Sequence, residues 1–184
     1  MSKHGLFLAL AIGLATIGSG SRAEADPIIS VGSFPATPPS YLPPPPPATF
    51  LVPVDISGAS GLQNWQFDLL FDNTVVEEVD PGDGSSGIYG AEFTPGDPDS
   101  QSFILSGFPF NSLGLVETVA GSYPSLSAGP SGDGTLAFVL FEFLAGQSGN
   151  NPNFRIENAV VEEPVPEPGS LALVVGALAI TALF

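Results

Sequence analysis

Carboxylates are nearly all the chemistry this chain offers. Nineteen of its 184 residues are Asp or Glu, three are Lys or Arg, one is His and none is Cys. The histidine is His4, and Lys3 and Arg22 also fall within the first 25 positions, so the only later basic residue is Arg155. A serine nucleophile needs a His or Lys base, and zinc sites are built from His and Cys. Past residue 25 neither is available. Three uses of a carboxylate remain. Ca²⁺ takes oxygen ligands from acidic, Gly-rich loops, and Asp80 with Asp83, or Asp97 with Asp99, are candidates; neither loop closes on a Glu at the twelfth position as an EF-hand does. Glycoside hydrolysis needs two carboxyls about 5–10 Å apart across a cleft. Glu142 stands out because it interrupts an apolar run, yet no pair does, and Glu142 is expected to face solvent at a sheet edge or end. The third use is as a substrate. Pro166-Glu167-Pro168, followed by Gly169, cannot continue a helix and is pushed to extended geometry, the form a processing enzyme grips. No catalytic residue and no cofactor is expected, calcium at the aspartates being the one alternative.

Aromatic side chains are the other candidate chemistry, since an exposed ring stacks on a sugar. Trp65 shares its strand parity with Phe67, Leu69 and Phe71, which assigns it to the core. Tyr89 and Tyr123 lie in loop-rich stretches and are the better platform candidates.

The two ends of the chain have a different character. Lys3 precedes an apolar stretch over residues 5–17, and Ala23-Glu24-Ala25 supplies small residues at an A-x-A cleavage site. Residues 1–25 are expected to be a signal peptide handed to the secretion translocon. Its removal leaves eighteen acidic residues against Arg155 alone. Such a surface repels phosphate backbones and anionic headgroups, which excludes nucleic acid as a partner. At the other end, residues 171–184 carry no polar side chain except Thr181. As a helix they would span about 21 Å, short of the roughly 30 Å hydrocarbon core, which suits a transient membrane anchor.

Between the ends, the pattern is that of strands. Residues 26–48 form a Pro-rich segment with a short strand at 28–31 and five consecutive prolines at 43–47, read as an extended spacer or long loop. In residues 50–57, Phe50, Val52, Val54 and Ile56 alternate with Pro53 and Asp55; Pro53 marks an edge strand. Residues 62–72 form a second strand. Shorter ones are expected at 75–79, 88–93, 103–106 and 113–119, and Gly132-Asp133-Gly134 is expected to be a turn. Residues 135–145 are apolar on both parities, so both faces of that strand should be covered. A last strand covers 154–163. Short strands with Gly/Pro turns, and no amphipathic helix, indicate an all-β sandwich over residues 49–163.

Two resemblances add to this reading. The order of Pro166-Glu167-Pro168, Gly169-Ser170 and a terminal apolar run resembles the PEP-CTERM sorting tail of Gram-negative envelope proteins. It implies recognition of residues 164–184 by exosortase, a membrane transpeptidase, and an envelope or extracellular destination. FLVPVDIS at 50–57, WQFDLLFDNTVV at 65–76, GDGTLAFVLFEFLAG at 132–146 and FRIENAVVE at 154–162 together resemble a cohesin domain. That implies a nine-stranded jelly-roll sandwich that binds a dockerin through one sheet face, without catalysis. The function expected is association with a dockerin-like protein or an extracellular polysaccharide. A carbohydrate-binding module is the alternative, and a carboxylate-based glycoside hydrolase stands behind both.

Overall fold

The computed structural model describes residues 26–42, 45–81, 86–123 and 129–164. The signal segment with Ala23 and Ala25, the sorting motif Pro166 to Gly169 and the apolar segment 171–184 lie outside the described residues, as does Asp83. Among the described residues there are nine strands and two short 3-10 turns, and no helix is long and apolar enough to cross a membrane.

The strands are β1 (Ile28–Val31), β2 (Thr49–Ala59), β3 (Asn64–Leu70), β4 (Val76–Glu78), β5 (Ile88–Gly90), β6 (Phe103–Phe110), β7 (Leu115–Ser122), β8 (Gly132–Phe143) and β9 (Arg155–Glu162). They form two antiparallel sheets. One runs β1-β2-β8-β4, with β5 also paired to β8; the other runs β6-β7-β3-β9. Period-two alternation makes the sandwich. Phe50, Val52, Val54 and Ile56 of β2 meet Trp65, Phe67 and Leu69 of β3 in one core with Val116, Val119, Val139 and Phe141. At one end Phe154 packs on Phe141 with ring centres 4.7 Å apart, and on Phe34 at 4.9 Å. Each such side chain removed from water contributes about 1.5–3 kcal/mol.

The sandwich and the inward Trp65, 2% exposed, agree with the sequence reading. Several local expectations do not. β2 is no edge strand: it lies between β1 and β8. Pro53 is tolerated there because β1 pairs only as far as Val31 with Val54, so the missing N–H falls just past its end, where the Pro53 carbonyl accepts from the Gly32 amide at 2.9 Å. Gly132-Asp133-Gly134 is not a turn but the first stretch of β8, with Gly132 opposite Ala59 and Gly134 opposite Ile56. The strand expected at 103–106 continues to Phe110, and β7 extends to Ser122.

The strand β8 is covered on both faces, as its composition requires. Its inward residues join the core, while outward Leu140 and Phe138 form a second cluster with Leu51 and Ala91. Ala36, Leu42, Val79 and Tyr89 pack over that cluster. The Pro-rich segment therefore covers this face with its residues 36–42. It is pinned by the Ala36 amide donating to the Leu51 carbonyl at 3.0 Å and by the Glu92 amide donating to the Tyr41 hydroxyl at 2.9 Å.

Candidate binding face

The outer face of the β6-β7-β3-β9 sheet has no such cover among the described residues. Its register sets the surface out in rows. Gln66 of β3 is opposite Ala120 of β7 on one side and Val160 of β9 on the other, and Leu105 follows on β6. These residues line a shallow groove of about 240 Å³ with Asn64 and Glu162 at its rim. Leu105 is 64% exposed, Val160 52% and nearby Phe103 67%. Beneath the groove β7 carries Gly121: a Cβ at that position would stand 2.3 Å from the Trp65 ring, so only glycine lets the indole pack under the sheet.

One carboxylate organises the next row. Both neighbours of β3 bulge beside Asp68, which frees backbone and side-chain donors from the regular ladder. The Thr118 amide donates to Asp68 Oδ1 at 2.8 Å, and Asn158 Nδ2 donates to Oδ2 at 2.6 Å. Asn64 Nδ2 donates to Glu162 Oε2 at 2.8 Å across β3 and β9. Arg155, the lone late cation, is held at the far end of β9 by Glu157 at 3.3 Å. The result is an apolar centre with a polar rim, the composition of a protein-binding patch.

The residues singled out in the sequence do not gather here. Tyr123, a proposed sugar platform, is 3% exposed and packs edge-on against Phe93, so it is a core residue and that assignment is corrected. It lies just past β7, where the strand's parity turns it inward. Tyr89 is half-buried over the second cluster and is likewise no open platform. Asp97 caps a 3-10 turn at Pro98–Ser100, its Oδ1 accepting from the Asp99 amide at 3.2 Å. Asp80 is exposed beside β4. No group of three or more Asp, Glu, His or Cys that could hold a metal forms among the described residues.

Glu142 is half-buried near the end of β8, not at a sheet edge, because β2 and β4 flank it. Its partner across the ladder is Glu77, and a hydrogen bond between the two carboxyls raises the Glu77 pKa. The two carboxyls therefore sit side by side across one ladder rather than facing each other over a cleft, as a glycosidase pair does. A different acid was missed altogether. Glu78 is 4% exposed, its Oε1 has no hydrogen-bond partner, and burial, followed by repulsion from Asp80, pushes its pKa up to about 7. Nothing in its local sequence separates it from Glu77, since only the parity of β4 decides which of the two turns inward.

No protein-family model matches the chain, and no curated protein does. Solved structures do. The second type II cohesin module of the ScaA scaffoldin of Acetivibrio cellulolyticus is 24% identical over 52% of this chain and 60% of its own length, with a TM-score of 0.38. The sixth cohesin of that organism's scaffoldin B, solved in complex with a dockerin mutant, is 20% identical over 65% and 79%, with a TM-score of 0.43. A type II cohesin from Bacteroides cellulosolvens is 17% identical over 52% and 60%, with a TM-score of 0.39. The chain thus spans 60% of the length of the first of these. Likenesses at these scores carry no argument about this chain, whose sandwich rests on its own strand pairing and core.

Proposed function

We propose that this chain is an exported, non-catalytic binding module of cohesin type that holds a protein partner on the outer face of the β6-β7-β3-β9 sheet. The observation that carries this reading is the apolar row of exposed Leu105 and Val160 with half-buried Ala120 between them, set in a rim of Asn64, Gln66 and Glu162. The resemblance of its strands to cohesins makes a dockerin-like module the first partner to try. Export by residues 1–25 and sorting through Pro166 to Gly169 place the module at the envelope or outside the cell.

The test is surface plasmon resonance against a panel of immobilised dockerin modules, alongside affinity electrophoresis in gels containing cellulose or xylan. A dockerin signal that Leu105→Asp and Val160→Asp abolish supports the reading. Retardation by polysaccharide, unchanged by those substitutions, would replace it with a carbohydrate-binding module. Sorting is tested by intact mass of the protein recovered outside its native host's cells. Loss of residues 1–25 and of the segment after the Pro166 to Pro168 triplet is expected, and a mass that retains residues 171–184 sinks the sorting half.

A further inference from the structure

Charge narrows the partner of the open face. Resting on the reading of that face as a docking surface, we infer that its partner is a polypeptide segment with Lys or Arg side chains on both sides of its apolar anchor.

Three rows cross the face. The groove row runs from Leu105 through Ala120 and Gln66 to Val160. On one side of it lies the row Phe103, Ser122, Asn64 and Glu162. On the other side Phe108 is opposite Glu117 and Asp68 is opposite Glu157, and the Thr118 amide joins β7 to Asp68 at 2.8 Å. Glu117, Glu157 and Glu162 are exposed, and Asp68 is half-buried. The apolar row is therefore flanked by carboxylates, one on the first side and three on the second. Residues two apart on a strand stand about 7 Å apart, so an anchor seated in the groove has acids about that far to either side.

These charges are not balanced within the described residues. Arg155 is the only basic residue among them, and its guanidinium is taken by Glu157 at 3.3 Å. The Asp68 carboxylate accepts from the neutral Thr118 amide and Asn158 Nδ2, and the Glu162 carboxylate from neutral Asn64. A partner laid over the groove takes water away from these acids. An uncharged or acidic partner leaves them uncompensated, at a cost, whereas a cation offsets the lost water and speeds the encounter. The same repulsion turns away a second copy of this chain, whose formal charge is −16. The exposed column of Phe103, Leu105, Phe108 and Phe110 on β6 supplies the apolar burial that charge alone does not.

The test is a displayed library of random peptides about twelve residues long, enough to cross three strand spacings of about 4.8 Å. Binders are selected on the full chain and counter-selected on the variant Leu105→Asp with Val160→Asp. Both positions are exposed, so these substitutions leave the core intact. The variant is also more acidic than its parent, so peptides drawn by net charge alone are discarded. The survivors should combine apolar residues with at least about a twofold excess of Lys and Arg over the unselected library. Glu117→Lys with Glu162→Lys should then weaken them at least about tenfold, while Asp99→Lys with Asp133→Lys, an equal change in net charge at exposed acids outside that sheet, should leave them within about twofold. Survivors with no excess of Lys and Arg overturn the inference and leave the face a docking surface. So do survivors weakened equally by both pairs of substitutions, which would make the attraction a property of the whole chain. Failure to recover any peptide that tells the parent from the counter-selected variant overturns the docking surface itself, and this inference with it.

Discussion

The two sheets differ most on their outer faces. On the five-stranded sheet, Leu51, Phe138 and Leu140 point away from the main core, yet they are buried because Ala36, Leu42 and Tyr89 lie over them. On the four-stranded sheet, Leu105, Val160 and Phe103 also point away from the core, and they stay exposed. Sheet faces in a small sandwich are ordinarily polar on the outside. Here both carry apolar residues, and the chain spends its own N-terminal segment to close one of them. An apolar face that is closed serves stability, whereas one left open is available for binding.

The widest test of that contrast is truncation on each side. Leu140→Ala should destabilise the fold by about 2–5 kcal/mol, the range for a buried leucine, even though residue 140 points outward from the sandwich. Val160→Ala, a comparable outward side chain on the open face, should change stability by no more than about 0.5 kcal/mol. Urea titrations of the two variants decide it. Equal costs would mean that the faces are not different in kind.

How much of this was legible in the sequence follows from what is local and what is not. The inward parity of Phe50 to Ile56 and of Trp65 to Phe71 is a period-two signal, and the structure repeats it. The two-sided apolar character of residues 135–145 correctly required a cover. What could not be read locally was the identity of that cover, because Tyr41 and Leu42 reach β8 and its neighbours only through the fold. The strand β6 was underestimated for another reason. Bulges at residues 104–106 and 106–108 break the alternation, and Phe103, Leu105, Phe108 and Phe110 are apolar yet exposed, so no single period fits. The candidate face was invisible for the same cause: Leu105, Ala120, Gln66 and Val160 are neighbours only by register.

Closing the five-stranded sheet on both sides has a cost at its β4 margin, where the Glu78 carboxyl is sealed inside. Its backbone is clamped by Asn111, whose Oδ1 accepts from the Glu78 amide at 2.8 Å and whose Nδ2 donates to the Glu78 carbonyl at 2.9 Å. Its pKa near 7 lies above that of the same group in the unfolded chain, so the folded state binds the proton more tightly. The stabilisation is complete below pH about 4.5 and fades as pH rises through about 7. Glu78→Gln keeps the shape without the charge. At pH 8 it should raise stability by roughly 1–2 kcal/mol, within the range for an unpaired buried polar group, and it should flatten the decline between pH 5 and 8. A slope unchanged in the variant would place the titration elsewhere.

The finest test concerns how the cover is held. Tyr41 is the one side chain of the Pro-rich segment whose polar atom ties the cover to the sandwich proper in the described residues, through the Glu92 amide. Burial raises its phenol pKa above the usual value, so the hydroxyl stays neutral and keeps its lone pairs available to that amide across the ordinary pH range. Tyr41→Phe leaves the ring in place and removes only the acceptor. The loss should be about 1 kcal/mol, the net worth of one hydrogen bond. Its distribution matters more than its size. If the cover is a separately pinned layer, amide hydrogen exchange should quicken at Glu92, Ala36 and Leu42 while β9 and β3 stay unchanged. If exchange quickens uniformly, the cover is not a layer but an integral part of the core. The closed and open faces would then differ by more than the presence of a lid, and the open one would be open because the sandwich does not need it for folding.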